Sequence, residues 1–306
     1  MSQETPSKVQ QLPRVAVVIL NYNGKLLSEQ CLCSIMQSSY LNKEVILVDN
    51  ASTDGSVEHI RKLFPDVQIL ANSENLGCAG GRNIAYREAF QKGYDYILSL
   101  DNDTRIKSSM IEELVAVGES DPWIGVLGPK VYADDGSQTI QCAGGRITYT
   151  QNVCSERGAG EIDRGQYDHI EDVDYVSGSG GMIRCEVFEQ ATFLDENFYL
   201  YAHEDTDFCM RVRQAGYRIV YVPEAVMWHK GGATIGSYSP RKKYVEAVNS
   251  AYFVRKYGTS TQQVKYIFFA GFGLIYALLV QSLRGNHQAV FAKARGLWDG
   301  LLKPMS

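Results

Sequence analysis

Short unbroken apolar runs alternate with helix-patterned segments through the first half of the chain. Val15 to Leu20 is almost wholly β-branched or aliphatic, as a strand buried on both faces requires. Leu26 to Met36 then carries helical spacing, and Val45 to Val48 predicts a second buried strand. Ala51-Ser52-Thr53-Asp54-Gly55 supplies turn and capping residues ahead of a helix near Ser56 to Leu63. Further strands are predicted at Val67 to Leu70, Tyr96 to Leu100 and Val126 to Leu127, with helices at Gly80 to Phe90 and Met110 to Val117. Strands alternating with crossover helices predict an α/β fold around a Rossmann-type mixed, mostly parallel sheet.

The pattern then changes. Tyr132 to Asp174 is rich in Gly, Asp, Gln and Thr and reads as hairpins and a mobile loop over one end of the sheet. A helix from Glu204 to Ala215 and a strand from Arg218 to Val222 follow, and beyond Pro240 everything reads as helical. The expected organisation is a catalytic domain over 12–238 and a helical C-terminal extension over 239–306. Tyr266 to Leu283 holds no charged residue, but its truly apolar part, Ile267 to Val280, is short for a span and suits an interfacial or core helix. With the mildly basic Arg284 to Ser306 behind it, the pair suits docking on an anionic cytoplasmic leaflet. A hairpin packed on the catalytic domain, or on a second subunit in a homodimer, fits equally well.

Composition adds limits. Hydrophobic residues at 45% and charged residues at 21% are ordinary for a globular chain, and a net charge of −5 gives no reason to expect a nucleic-acid partner. Seven cysteines without a CxxC pair fit a reduced cytoplasmic compartment better than a disulfide framework. Met1 to Arg14 is polar, has no apolar core of a secretory signal, and reads as a frayed tail.

In an open parallel sheet, ligands bind beyond the C-terminal ends of the strands. Here those ends are Asn21-Tyr22-Asn23-Gly24, Asp49-Asn50 and Asp101-Asn102-Asp103. Asp54 serves equally well as a helix cap. Carboxylates two apart after a buried strand, Asp101 and Asp103, can hold a hard divalent cation that bridges donor phosphates. The loop Asn75 to Asn83, with Gly77 and Arg82, offers close backbone approach and a guanidinium to a diphosphate at a helix start. It lacks the GxGxxG order of a dinucleotide fold. At the start of the late helix, Asp205 is the preferred general base, Glu204 is the reserve, and Asp207 is a structural partner for Arg211. His229 offers a third metal ligand or a phosphate contact, against the ordinary surface or core histidine, and Ser177 to Gly181 offers a small-residue floor for the acceptor or sugar, or a plain β-turn.

Together these segments, from Val15 to Gly232 in order, resemble family 2 glycosyltransferases of GT-A fold. The resemblance implies a nucleotide-sugar donor, inversion at the anomeric carbon and Mg²⁺ or Mn²⁺. It implies that Asp49 and Asn50 face the base and ribose, that Asp101 faces ribose and metal, that Asp103 and His229 hold the metal, and that Asp205 is the base. Asn21, Gly77, Arg82 and Asn102 complete the expected donor surface. Within the family the set looks most like bacterial rhamnosyltransferases using dTDP-rhamnose in surface-polysaccharide synthesis, with a saccharide or lipid-linked acceptor. A sugar nucleotidyltransferase would need a basic Gly-rich loop after the first strand, where Asn21 to Gly24 stand instead. A non-catalytic nucleotide-sugar-binding scaffold would have no use for both a base and a metal pair.

Overall fold

A computed structural model describes residues 12–198, 200–231 and 239–305. Most of the expected N-terminal tail and the expected domain end at Tyr238 lie outside the described residues. The first half is β1 (Val15–Asn21), α1 (Lys25–Met36), β2 (Lys43–Asp49), α2 (Ser56–Leu63), β3 (Gln68–Ala71), α3 (Gly77–Gln91) and β4 (Tyr96–Asp101). Then come β5 (Thr104–Ile106), α4 (Met110–Ser120), β6 (Ile124–Ala133) and four short strands, β7 (Ile140–Cys142), β8 (Gly145–Ile147), β9 (Cys154–Glu156) and β10 (Glu171–Asp172). The chain closes with β11 (Met182–Arg184), α5 (Phe188–Ala191), α6 (Glu204–Gln214), β12 (Arg218–His229), α7 (Pro240–Tyr257), α8 (Ser260–Leu283) and α9 (His287–Leu302).

Strand order in the main sheet is β10-β12-β6-β11-β4-β1-β2-β3, with β5 added to β12 and β7 to β6. The pairs β4–β1, β1–β2, β2–β3 and β6–β12 are parallel, and β11 runs antiparallel between β4 and β6. Strand periodicity divides the core between two faces. Val15, Val17 and Ile19 pack with Leu32, Ile35 and Leu114, whereas Ala16 and Val18 pack with Ala85, Tyr86 and Phe208.

Two expected strands are longer than their sequence signals. Gly128 and Pro129 interrupt the apolar run, yet β6 continues through them to Ala133. Opposite them β12 passes Pro223 by a register shift between Val222 and Val226, a site where a strand tolerates proline. Consequently His229 ends β12 rather than lying in a loop beyond a strand that stops at Val222. The expected hairpin region is a lobe tied by Lys130–Asp163 and Arg157–Glu171 ion pairs at 2.9 and 2.6 Å.

The C-terminal helices are joined to this body. Gly296 and Gly300 let α9 lie against the α7 backbone, since a Cβ at either would meet the Tyr244 or Val248 carbonyl. A third core packs Tyr252, Phe253, Tyr266 and Ala270 of α7 and α8 on Tyr149, Val153 and Phe198. All seven cysteines are free.

Candidate active site

Parallel register sets the ends of β1, β2 and β4 side by side, with Asn21 opposite Asp49 and Leu20 opposite Asp101. Asn21 is wholly buried. Its amide donates to Asp49 at 2.7 Å, and its carbonyl accepts from Ser28 at 2.9 Å and Asn102 at 2.7 Å. The expected donor contacts Asn21 and Asn102 therefore spend these polar atoms on each other and on the strand ends, and they shape the rim from beneath. Asp49 also accepts from the Ser52 amide at 2.9 Å. Asn50 donates to the Gly77 carbonyl at 2.9 Å and accepts from Asn72, so it pins the loop that opens α3. Asp54 accepts from the Lys25 and Ser56 amides at 3.0 Å each and so ties the first turns of α1 and α2 together.

Beyond β4 the chain turns at Asp101-Asn102-Asp103 and returns as β5, antiparallel to the end of β12 with His229 opposite Thr104. That pairing brings His229 to Asp103, with Nε2 3.2 Å from Oδ1. Asp101, Asp103 and His229 each offer one ligand atom within 4.8 Å of the others. Two carboxylates and an imidazole at this spacing fit a divalent cation. Burial would lower the His229 imidazole, but the Asp103 hydrogen bond and the charges of Asp101 and Asp103 outweigh it and raise it above its ordinary value. Gln141 orients the ring. Its amide Nε2 donates to the His229 carbonyl at 2.8 Å, which turns Oε1 toward Nδ1 at 3.1 Å. Nδ1–H donates to Gln141 and Nε2–H to Asp103; a cation at the cluster would take the place of the Nε2 proton.

Arg82 connects this cluster to the start of α6. Its guanidinium is buried and reaches Asp101 at 2.5 Å and Glu204 at 3.3 Å. Glu204 is also buried, with Oε2 unpartnered among the described residues. Burial raises its carboxyl well above the ordinary range, the Asp205 charge adds to this, and Arg82 opposes it. The Glu204 carboxyl is thus enclosed and turned to Arg82. Asp205, half-buried, points elsewhere: Oδ2 accepts from the Gly178 amide at 3.0 Å and Oδ1 from the Thr206 amide at 2.6 Å. Gly178 has no side chain for a reason, because a Cβ there would meet Arg82 Nη1 at 2.9 Å. Asp207 is the structural partner expected for Arg211, at 2.8 Å, and also binds Lys256 at 2.7 Å.

The sequence reading missed the residues that hold these groups. Leu200, Ala202 and His203 are left-handed at φ of 59°, 73° and 69°. Asn249 of α7 donates to the Tyr201 and Ala202 carbonyls at 2.6 and 3.2 Å, and Ser250 lies 2.9 Å from His203 Nε2. Glu156, at the end of β9, is close enough to Asp205 and His229 to feel both charges. No local signal marks Gln141, Glu156 or Asn249, since each matters only through a partner distant in sequence.

Known proteins share this architecture. Residues 16–190 match the glycosyl transferase family 2 model. The chain is 24% identical to a dTDP-rhamnosyl transferase of Shigella flexneri, over 79% of this chain and 80% of that one. It is 29% identical to an N-acetylglucosaminyl-diphospho-decaprenol L-rhamnosyltransferase of Mycobacterium tuberculosis, over 71% of this chain and 76% of that one. Among solved structures, a mannosyltransferase of Pyrobaculum calidifontis in complex with GDP-Man and Mn²⁺ is similar at a TM-score of 0.58 and 19% identity, covering 97% of this chain and 77% of that one. GalNAc-T7 with UDP, GalNAc and Mn²⁺ is similar at 0.58 and 16% identity, over 79% of this chain and 51% of that one. The fold is GT-A, and with a family model covering more than half its length the chain belongs to glycosyl transferase family 2.

Proposed function

We propose that this glycosyltransferase is metal-dependent and inverting, and that it moves rhamnose from dTDP-rhamnose to a hydroxyl of a saccharide or lipid-linked acceptor. One observation carries the reading: the Asp101, Asp103 and His229 cluster is joined through Arg82 to the α6 start that presents Asp205. Asp101, Asp103 and His229 would hold Mg²⁺ or Mn²⁺, which when bound offsets charge on a leaving diphosphate. Asp49 and Asn50 edge the nucleoside side, and Arg82 fixes Asp101. Asp205 takes the acceptor hydroxyl proton as that oxygen bonds to the anomeric carbon and the sugar–phosphate bond breaks, so the nucleoside diphosphate leaves with the electron pair. The main-chain N–H groups of Gly178 and Thr206 orient the Asp205 carboxylate for this step. The rhamnosyl choice rests on the two rhamnosyltransferase relatives.

The C-terminal helices support a place at the cytoplasmic face of a membrane. Ser260–Gln281 is long and apolar enough to cross one, yet Val264, Ile267, Phe268, Phe272, Ile275 and Leu279 are each more than half exposed. Residues 239–306 carry ten Lys or Arg against two acids, whereas 1–238 carry twenty against thirty-three. An apolar stripe within a basic segment fits an anionic leaflet.

The test is incubation with dTDP- and UDP-sugars and Mn²⁺, with and without EDTA, following nucleoside diphosphate release and product configuration by NMR. Release from dTDP-rhamnose with an inverted product is expected. Release unaffected by EDTA would remove the metal, a retained configuration would remove Asp205 as simple base, and preference for another donor would replace rhamnose.

A further inference from the structure

A cavity of about 500 Å³ lies between α7, α8, α9 and the residues that lead into α6, bounded at its inner end by Ala202 and His203. It is separate from the Asp101 and Asp103 rim, and nothing in the donor reading uses it. Its walls are of two kinds. The inward face of α8 supplies Tyr266, Ala270, Leu274 and Ala277, while Lys243 of α7 and Lys293 of α9 bring ammonium groups. Glu246 pairs with Lys243 at 2.7 Å, and among the described residues Lys293 has no ion-pair partner. Burial and the neighbouring Lys243 lower Lys293, and Glu246 opposes them. Two ammonium groups against one carboxylate leave an excess positive charge in the cavity, which an entering anion would relieve.

Volume and position narrow the ligand. The space is of the size that holds a drug-sized molecule. Small residues on the inward face of α8 leave room for a chain, and large apolar residues on its outward face mark a route from a bilayer.

We infer that this chamber binds the phosphate ester of a long-chain alcohol, with Lys243 and Lys293 on the phosphate and the inward face of α8 along the chain. If the transferase reading above holds, this is where a lipid-linked acceptor is anchored, with its saccharide directed past His203 toward Asp205.

Calorimetry on the full chain with n-decyl phosphate tests the binding, with inorganic phosphate and n-decanol as controls. Decyl phosphate should bind at least ~10-fold tighter than either control, because both walls contribute. Lys293→Met should weaken it at least ~10-fold by removing the charge. Ala277→Trp should do so by filling the chamber, and both variants should release nucleoside diphosphate from the donor as the parent does. Equal affinity for decyl phosphate and inorganic phosphate, or undiminished binding by both variants, would overturn the inference. Displacement by phosphatidylglycerol vesicles assigns the site to bilayer lipid; retention beside such vesicles assigns it to a carrier-type phosphate. Absent donor breakdown in the parent with intact decyl phosphate binding would instead strike the transferase reading alone.

Discussion

On one wall of the cleft Asn21, Asp49 and Asp101 close three adjacent parallel strands, and β5 pairing with β12 brings His229 to Asp103. On the other, Asp205 stands on a helix whose approach runs through three left-handed residues, Leu200, Ala202 and His203. The first wall follows from strand register, which sets these residues side by side, with left-handed Asn23 and Ala51 in the turns just beyond them. The second is held against its own backbone preferences, at a cost of about 1–3 kcal/mol for each such residue. Asn249 and Ser250 of α7 bond that segment and offset the cost. The C-terminal extension is therefore part of the wall that carries Asp205 and not an appendage to it. The difference teaches that the Asp101, Asp103 and His229 cluster is encoded along a sheet edge, whereas the position of Asp205 depends on a helix added much later in the chain.

The two walls should separate most sharply on removal of their central carboxylates. Asp205→Asn keeps the shape and the acceptor capacity for Gly178 but cannot take a proton. Transfer should fall at least ~10³-fold in kcat while donor and Mn²⁺ binding stay within ~2-fold; normal turnover would move the base elsewhere. Asp103→Ala strikes the opposite wall. Mn²⁺ affinity, read by titration calorimetry, should drop by more than ~100-fold, and the protein should remain folded by circular dichroism. Unchanged affinity would dissolve the proposed cation site.

A smaller effect is expected from Asn249→Ala, which frees the Tyr201 and Ala202 carbonyls. Acceptor kcat/KM should fall about 10-fold through misplacement of Asp205, and donor affinity should hold. A loss confined to the donor side would break the assignment of α7 to the acceptor wall. The smallest effect concerns Glu204. Its folded carboxyl is raised, so the folded chain holds this proton more tightly than the unfolded chain. Its contribution to stability is present in acid and is lost as pH rises from the ordinary carboxylate range. Glu204→Gln should flatten that part of the pH–stability curve, measured by urea midpoints, while preserving the Arg82 contact. An unchanged slope would show that another group carries it.

Legibility followed the range of the interactions. Val15 to Leu20, Val45 to Val48 and Tyr96 to Leu100 are readable as buried strands because their pattern is local, and the polar residues at their ends are readable with them. The i,i+4 pair of Asp207 and Arg211 was equally open to view. β5 was not, because three residues of strand have no periodicity until β12 lies beside them. The full length of β12 was hidden by Pro223, which the sheet accommodates with a register shift.

From its residues alone the chain determines an α/β sheet, the polar strand ends that rim it, the acidic start of a late helix and an apolar C-terminal segment, since each depends on neighbours within a few positions. Only the tertiary structure decided that Asn21 and Asn102 support the rim from within, that Glu204 turns to Arg82 while Asp205 turns to Gly178, and that α7 secures the turn before them. Those outcomes come from hydrogen bonds and ion pairs between residues far apart in sequence, whose directions exist only once the helices have packed on the sheet.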